Sequence, residues 1–343
     1  MKRIIFLFAV LLLFASCETN TSLREKEVAF LSQGDSLKGT LFYPHGEVPF
    51  PAVVMIHGAA PATRNQHNDF IRGLVHRGVA VLSYDKRGCG ESEGFFWSSD
   101  FEDLARDAGN GLAFLNSQPE VDPNRSGYWS AGQGGWIMIQ ANEYEKGDFL
   151  VGLGTPTVTP RERLKFQIEH VVQGKGGTED FAERFFKYVT DYLDYVRTRE
   201  GYAAWRQEDS LMRIDPEMKE LQDIFMFSDI VHRDPPEDLP AYDSCQINPS
   251  ARSLDFDPIP LYKENDAQAL LFYGRNDNSI PLRQCLERLL PAARAKNNVQ
   301  FKAYFEADRL IRINDGGVLK HPEGFFDLMG AFIKNPEMRI PTE

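Results

Sequence analysis

The chain has 343 residues, 42% hydrophobic and 26% charged, with 27 glycines, 20 prolines and a mean hydropathy of −0.38. That composition excludes disordered, collagen-like and multi-span membrane chains and is the one expected of a soluble globular protein with one enlarged domain or two. Asp and Glu outnumber Lys and Arg by 50 to 38 with no basic cluster, so no nucleic-acid partner is expected.

The opening residues, MKRIIFLFAVLLLFASCETN, carry Lys2 and Arg3, an apolar run from Ile4 to Phe14, then Ala15 and Ser16 before Cys17. This is the layout of a signal peptide over residues 1–16, too short for a comfortable membrane span. Phe14, Ala15, Ser16 and Cys17 together resemble the bacterial lipobox, with Phe14 replacing the usual leucine. The resemblance implies that Cys17 is acylated and becomes the mature N-terminus. The protein would then be lipid-anchored in the bacterial cell envelope, periplasmic or surface-exposed, touching membrane only through that anchor. Ordinary secretory cleavage and a buried N-terminal helix are the alternatives. Loss of residues 1–16 removes two of the 38 basic residues against 50 acidic ones, leaving a net charge of −14. Residues 17–27 are polar and unpatterned, as in a lipidated stalk. Cys89, Cys245 and Cys285 remain, with no spacing suited to a metal, and are expected as small buried residues. No metal or cofactor is expected.

A strand pair follows: VAFLS, a turn at Gly34 and Asp35, then LKGTLFYP. PAVVMIHG and GVAVLSYD are continuous apolar runs ending at His57–Gly58 and at Asp85, the pattern of strands buried on both faces. NDFIRGLVHRG between them has helical spacing stopped by Gly78. Residues 100–117 place Phe101, Leu104, Ala108, Leu112 and Leu115 on one helical face behind an Asp100 cap. The strand SGYWS leads into GQGGWIMIQAN, helical after its glycines; ALLFYG, helical LRQCLERLLPAARAK, the strand VQFKAYF and a helix near GFFDLMGAFI come later. Strands alternating with helices predict an α/β fold with a doubly wound, mostly parallel sheet.

Residues 156–255 interrupt the alternation. FAERFFKYVTDYLDYV sets Phe181, Phe185, Val189, Tyr192 and Val196 near one helical stripe, and Trp205 and MKELQDIFMF follow. We read a helical cap inserted over the carboxyl ends of the strands, where open α/β sheets keep their ligand crevice. The expected division is a core of 28–155 and 256–343 with the cap between.

IHGAAPATRN, YDKRGCGESEG and VDPNRSGYWSAGQGGWIM, in that order, with GRNDNSIP later, resemble the α/β-hydrolase superfamily, most of all its bacterial acyl-hydrolase or serine aminopeptidase-like branch. The resemblance implies the α/β-hydrolase fold with an inserted helical cap. It also implies a nucleophile on a sharp strand-to-helix turn written G-x-S-x-G, a histidine that takes its proton and an acid that orients the histidine. Carried onto SGYWSAGQGGW, it puts Gly132 at the nucleophile position. GRNDNSIP supplies the acid as Asp277, and FEADRLIRIND has Arg309 where the histidine belongs. Glycine has nothing to attack with, and a guanidinium gives up no proton near neutral pH. Arg309 is instead placed to pair with Asp277, bidentate in the favourable case. The oxyanion donors implied are the amides of Ala59 and Gln133.

These positions point to a pseudoenzyme that binds a small acyl, ester or peptide-like ligand, or a partner, under the cap. The alternative is an active ester, thioester or amide hydrolase using Ser130, in Y-x-S-x-G, or a non-standard nucleophile, with His321 as a substitute base. A third reading makes the cap a scaffold. His57 reads as a packing residue beside the oxyanion loop. Nucleotide binding by DKRGCGESEG is disfavoured because Asp85, Lys86 and Arg87 separate the strand from Gly88, Gly90 and Gly94 and no helix opens there.

Overall fold

Runs such as FPAVVMI and AVLSY leave no polar face, so the strands that contain them need cover on both sides. The structure, a computed structural model, describes residues 23–221 and 249–340 and supplies that cover. Its main sheet contains β1 (Arg24–Ser32), β2 (Asp35–Tyr43), β3 (Phe50–Ile56), β4 (Ala80–Tyr84), β5 (Val121–Ala131), β6 (Phe149–Leu153), β7 (Gln268–Gly274) and β8 (Val299–Tyr304). Their spatial order is β1-β2-β4-β3-β5-β6-β7-β8, with β2 antiparallel to both neighbours and all pairs from β4 onward parallel. The doubly wound, mostly parallel sheet expected from the alternation is therefore present.

Every residue of β3, β4 and β6 is buried. On one face lie α2 (Phe101–Asn116), α3 (Gly134–Tyr144) and the helix Leu282–Lys296, which bury Leu104, Leu112, Trp136 and Leu289 against Val54, Leu82 and Leu271. On the other lie α1 (Asn68–Val75) and the helix Phe325–Lys334, which bury Phe70, Leu74 and Met329 against Val53, Val151 and Phe272. Each large apolar side chain so enclosed contributes on the order of 1.5–3 kcal/mol. Asp100 caps α2 through a reciprocal box with Asp103, satisfying two amides that the first turn leaves open.

Strand order reverses between β3 and β5, and their carboxyl ends lie side by side at Ile56 and Ser130. That is where an open α/β sheet forms its crevice. After β6 the chain enters α4 (Pro160–Gly174), α5 (Glu179–Thr198), α6 (Tyr202–Met212) and α7 (Pro216–Leu221). Phe181, Phe185, Val189, Tyr192, Val196 and Trp205 pack together with Ile168 and Leu254 in a cluster of their own. α4 reaches the end of β7 through Arg163 and Gln167, both of which donate to the Ser279 carbonyl.

Several expectations change. Arg24–Glu27, read as stalk, belong to β1 and pair with Tyr43–Thr40; they are polar because an edge strand keeps one face in water. Cys89 is partly exposed rather than buried, because its loop follows β4 at the surface, whereas Cys285 is buried; both are free thiols. A two-stranded hairpin, β9 (Ile313–Asp315) with β10 (Val318–Lys320), was not expected. Cys17 and Cys245 lie outside the described residues, as do residues 222–227 of MKELQDIFMF.

Candidate functional site

β5 ends at Ala131 and α3 starts at Gly134, so the chain reverses within two residues. Gly132 takes φ +55°, and its amide donates to the Leu153 carbonyl at 2.9 Å. A β-carbon there would meet Arg309 first, with Cδ at 3.4 Å, Nη1 at 3.6 Å and Nε at 3.8 Å. The guanidinium therefore stands over the bare elbow. A side chain at Gly154 would likewise meet Arg309 Cγ at 2.5 Å and Asp277 Oδ2 at 3.0 Å, so the arginine stem and the acid are neighbours. Gly132, Asp277 and Arg309, from the loops after β5, β7 and β8, thus meet beside Gly154 at the end of β6.

The expected Asp277–Arg309 ion pair is not made. Asp277 Oδ1 accepts from the Ser279 amide at 2.8 Å and its hydroxyl at 2.5 Å, while Oδ2 is enclosed and has no partner among the described residues. Arg309 Nη1 reaches past it to Ser279 Oγ at 3.4 Å. The cause is the loop that carries Arg309. Asp308 accepts from the amides of Leu310 and Arg312 through one oxygen and from the Arg312 guanidinium at 2.9 and 2.6 Å through the other. Buried Ile311 completes the turn at φ +57°. This clamp sets the loop from which Arg309 leaves the backbone, and its guanidinium goes to Ser279 rather than to Asp277.

Gly274, at the end of β7, lets the loop come close. A β-carbon at this position would run into the carbonyl oxygens of Ala307 and Asp308. Gly274→Ala is expected to cost about 2–3 kcal/mol by overpacking against backbone that cannot yield. Urea unfolding checks this, and an unchanged midpoint would show that the loop is free to move.

Arg163 was not singled out from the sequence. Its side chain is 9% exposed, donates from Nε to Ser279 O at 2.9 Å and lies over the Trp136 ring at 5.6 Å. Burial, with the Arg309 charge second, lowers its pKa to about 10. An arginine on α4 gives no sign in sequence that it turns inward.

On the other side of the elbow, β3 runs into His57, which is buried with Nε2 2.8 Å from the Tyr84 carbonyl. Its ring stacks on His67 at 5.5 Å, and its other nitrogen has no partner among the described residues. Burial holds His57 down at about 3 and His67 at about 4, so both are neutral at pH 7. Lys86 was also missed, although DKR directly after an apolar strand is an unusual charge cluster. Its Nζ is buried and donates to the carbonyls of Gly58 at 2.5 Å and Ala60 at 2.9 Å, and burial pushes its ammonium down to about 7. A trans peptide points its C=O and N–H in opposite directions. By holding the Gly58 carbonyl, Lys86 turns the Ala59 amide the other way. The Gln133 amide, at the start of α3, has no acceptor among the described residues.

Ser130 is wholly buried in β5, with its hydroxyl 3.3 Å from Met138 Sδ. His321 lies against α1: Nδ1 is 3.0 Å from Ile311 O and Nε2 3.2 Å from Asp69 Oδ2, with the ring stacked on Phe325. The DKRGCGESEG loop folds back so that the Asp85 carboxylate accepts from the amides of Arg64 and Glu91, and the next α-helix begins only at Phe101. No group of three or more metal-ligating side chains is found among the described residues, and none of their helices is long and apolar enough to cross a membrane.

The fold itself has counterparts among known proteins. An esterase of Pyrococcus furiosus superposes over 91% of this chain and 91% of its own, with a TM-score of 0.57 at 14% identity. This is the α/β-hydrolase fold. Within it, residues 33–142 match the X-Pro dipeptidyl-peptidase (S15) family, about a third of the chain. A thiohydrolase of Aspergillus aculeatus is 34% identical over 122 residues, 35% of this chain and 38% of that one. The quorum-quenching protein AidA of Acinetobacter baumannii is 32% identical over 114 residues, 33% of this chain and 38% of that one. The chain thus spans little more than a third of the length of these curated relatives. Their names are those of hydrolytic or signal-quenching proteins, and the family match over residues 33–142 runs from the β1–β2 turn into α3.

Proposed function

We propose that this chain is an α/β-hydrolase-fold pseudoenzyme that binds a small acyl, ester or peptide-like ligand without acyl-serine chemistry. We further propose that it is held at the bacterial cell envelope by a lipid on Cys17. The observation that carries the reading is Gly132 at φ +55° with the Arg309 guanidinium over it. The turn is kept in the left-handed conformation that strains any residue with a β-carbon, roughly 1–3 kcal/mol, but the group that would use the strain is missing. The group that would activate it is replaced by a permanent cation. Asp277 Oδ2, enclosed without a partner among the described residues, is what an orienting acid looks like when its histidine N–H is gone.

The hydrolase alternative finds little support. Ser130 lies within the sheet with its hydroxyl turned to a methionine sulfur, and His321 is engaged by Asp69 and Ile311. The purified chain is expected to hydrolyse p-nitrophenyl esters, thioesters and aminoacyl p-nitroanilides no faster than buffer. Saturable turnover of any of them by the unaltered chain would overturn the proposal.

A further inference from the structure

Arg163 and Arg309 come from different elements, yet both end on Ser279. Arg163 Nε donates to its carbonyl oxygen and Arg309 Nη1 to its hydroxyl. Arg163 is nine-tenths buried. Among the described residues nothing partners its two terminal nitrogens, and these are not sealed off from solvent. Arg309 is exposed and, among the described residues, has only its long contact with Ser279. Asp277 influences the charge of Arg163, as Arg309 does, but its free oxygen is bonded to neither arginine. Two guanidinium groups therefore share one carboxylate, with one positive charge in excess. Beneath them the Arg309 side chain covers the bare Gly132. Gln133 opens α3 with an unused amide and a buried side chain whose oxygen and nitrogen both lack partners among the described residues. Beside them a cleft of about 350 Å³ runs between α4 and the loops after β7 and β8, bordered by Gln167, Val171, Asn278 and Arg309.

Unspent guanidinium forks match the two oxygens of a carboxylate, and the positive end of a helix adds to the attraction. One excess charge is neutralised by a monoanion, whereas a phosphate dianion would overshoot it. We propose that Arg163 and Arg309 hold the carboxylate of a small organic acid where their guanidinium groups meet this cleft. The ligand of this site is then the acid that ester or amide hydrolysis releases, not the ester or amide itself. The inference rests on the pseudoenzyme reading and names its ligand class.

The test is calorimetric titration of the purified chain with sodium hexanoate, methyl hexanoate and inorganic phosphate. Hexanoate binds, and the uncharged ester and phosphate bind at least about tenfold more weakly. Arg309→Gln, at an exposed position that puts no burden on folding, weakens hexanoate at least about tenfold, and Arg309→Lys recovers part of the loss because it keeps charge without the fork. Arg283→Gln, an exposed arginine on the helix Leu282–Lys296, changes nothing. Failure of hexanoate to bind, equal binding of acid and ester, preference for phosphate, or indifference to Arg309→Gln each overturns the carboxylate site and leaves the pseudoenzyme reading standing. Release of methanol from methyl hexanoate would instead remove that reading, and the inference with it.

Discussion

Introducing serine at position 132 and histidine at position 309 in the same chain is expected to raise p-nitrophenyl ester hydrolysis at least about a thousandfold, a gain of about 4 kcal/mol in transition-state stabilisation. On the proposed reading, three further groups stand near enough to serve. Asp277 Oδ2 has no partner among the described residues and lies beside the Arg309 stem, where an imidazole N–H from residue 309 would arrive. The Gln133 amide is unused, and Lys86 fixes the carbonyls on either side of Ala59. Neither single change suffices. Gly132→Ser alone puts a hydroxyl under a guanidinium that cannot take its proton, with the arginine stem 3.4 Å from the new β-carbon. Arg309→His alone activates nothing. Residues that act as a unit are far from additive, so the signature is activity in the double variant and none in either single one. The double variant also bears the left-handed strain at 132, roughly 1–3 kcal/mol, and is expected to unfold at lower urea. A single variant as active as the double would show that catalysis in this fold follows another route.

Moving from pH 7 to pH 5 is expected to cost about 4 kcal/mol of stability, about 2 kcal/mol from each of His57 and His67. Both are held neutral in the folded protein, at about 3 and about 4, against an ordinary value of 6.5. Between pH 6.5 and these lowered values the unfolded chain binds the extra protons, so stability is full above 6.5 and declines as pH falls. The cause is desolvation of stacked rings beside a buried ammonium on Lys86. Carboxylates held low by arginine, such as Asp255 between Arg161 and Arg197, lose their contribution only below about 4 and leave this window clear. Urea midpoints at pH 7 and pH 5 provide the measurement. His67→Phe, which keeps a ring against Trp129 and Phe70, should halve the difference; equal midpoints for the unaltered chain would contradict the account.

The sheet was readable because β3, β4 and β6 are apolar on both faces, and only a covered sheet tolerates such strands. The stripe Phe181, Phe185, Val189, Tyr192 and Val196 was readable for a related reason: helical spacing states which side turns inward. Positions 132, 277 and 309 could be proposed because their neighbours form local motifs, and the structure brings these three residues together. What the sequence withheld depends on direction and burial. The same Arg309 either pairs with Asp277 or passes it according to how Asp308 and Arg312 clamp the loop, and that clamp is built from residues with no motif of their own. Arg163 and Lys86 look like surface charges until the fold encloses them. Arg24–Glu27 read as a tail because an edge strand and a polar tether have the same composition.

The central claim is that no hydroxyl stands ready for attack at the turn between β5 and α3. Intact-mass measurement after exposure to a fluorophosphonate, which phosphonylates only an activated serine, tests it most directly. The unaltered chain should keep its mass, while the Gly132→Ser, Arg309→His double variant should gain one adduct, on residue 132. An adduct on Ser130 or any other serine of the unaltered chain would contradict the account and identify a working nucleophile.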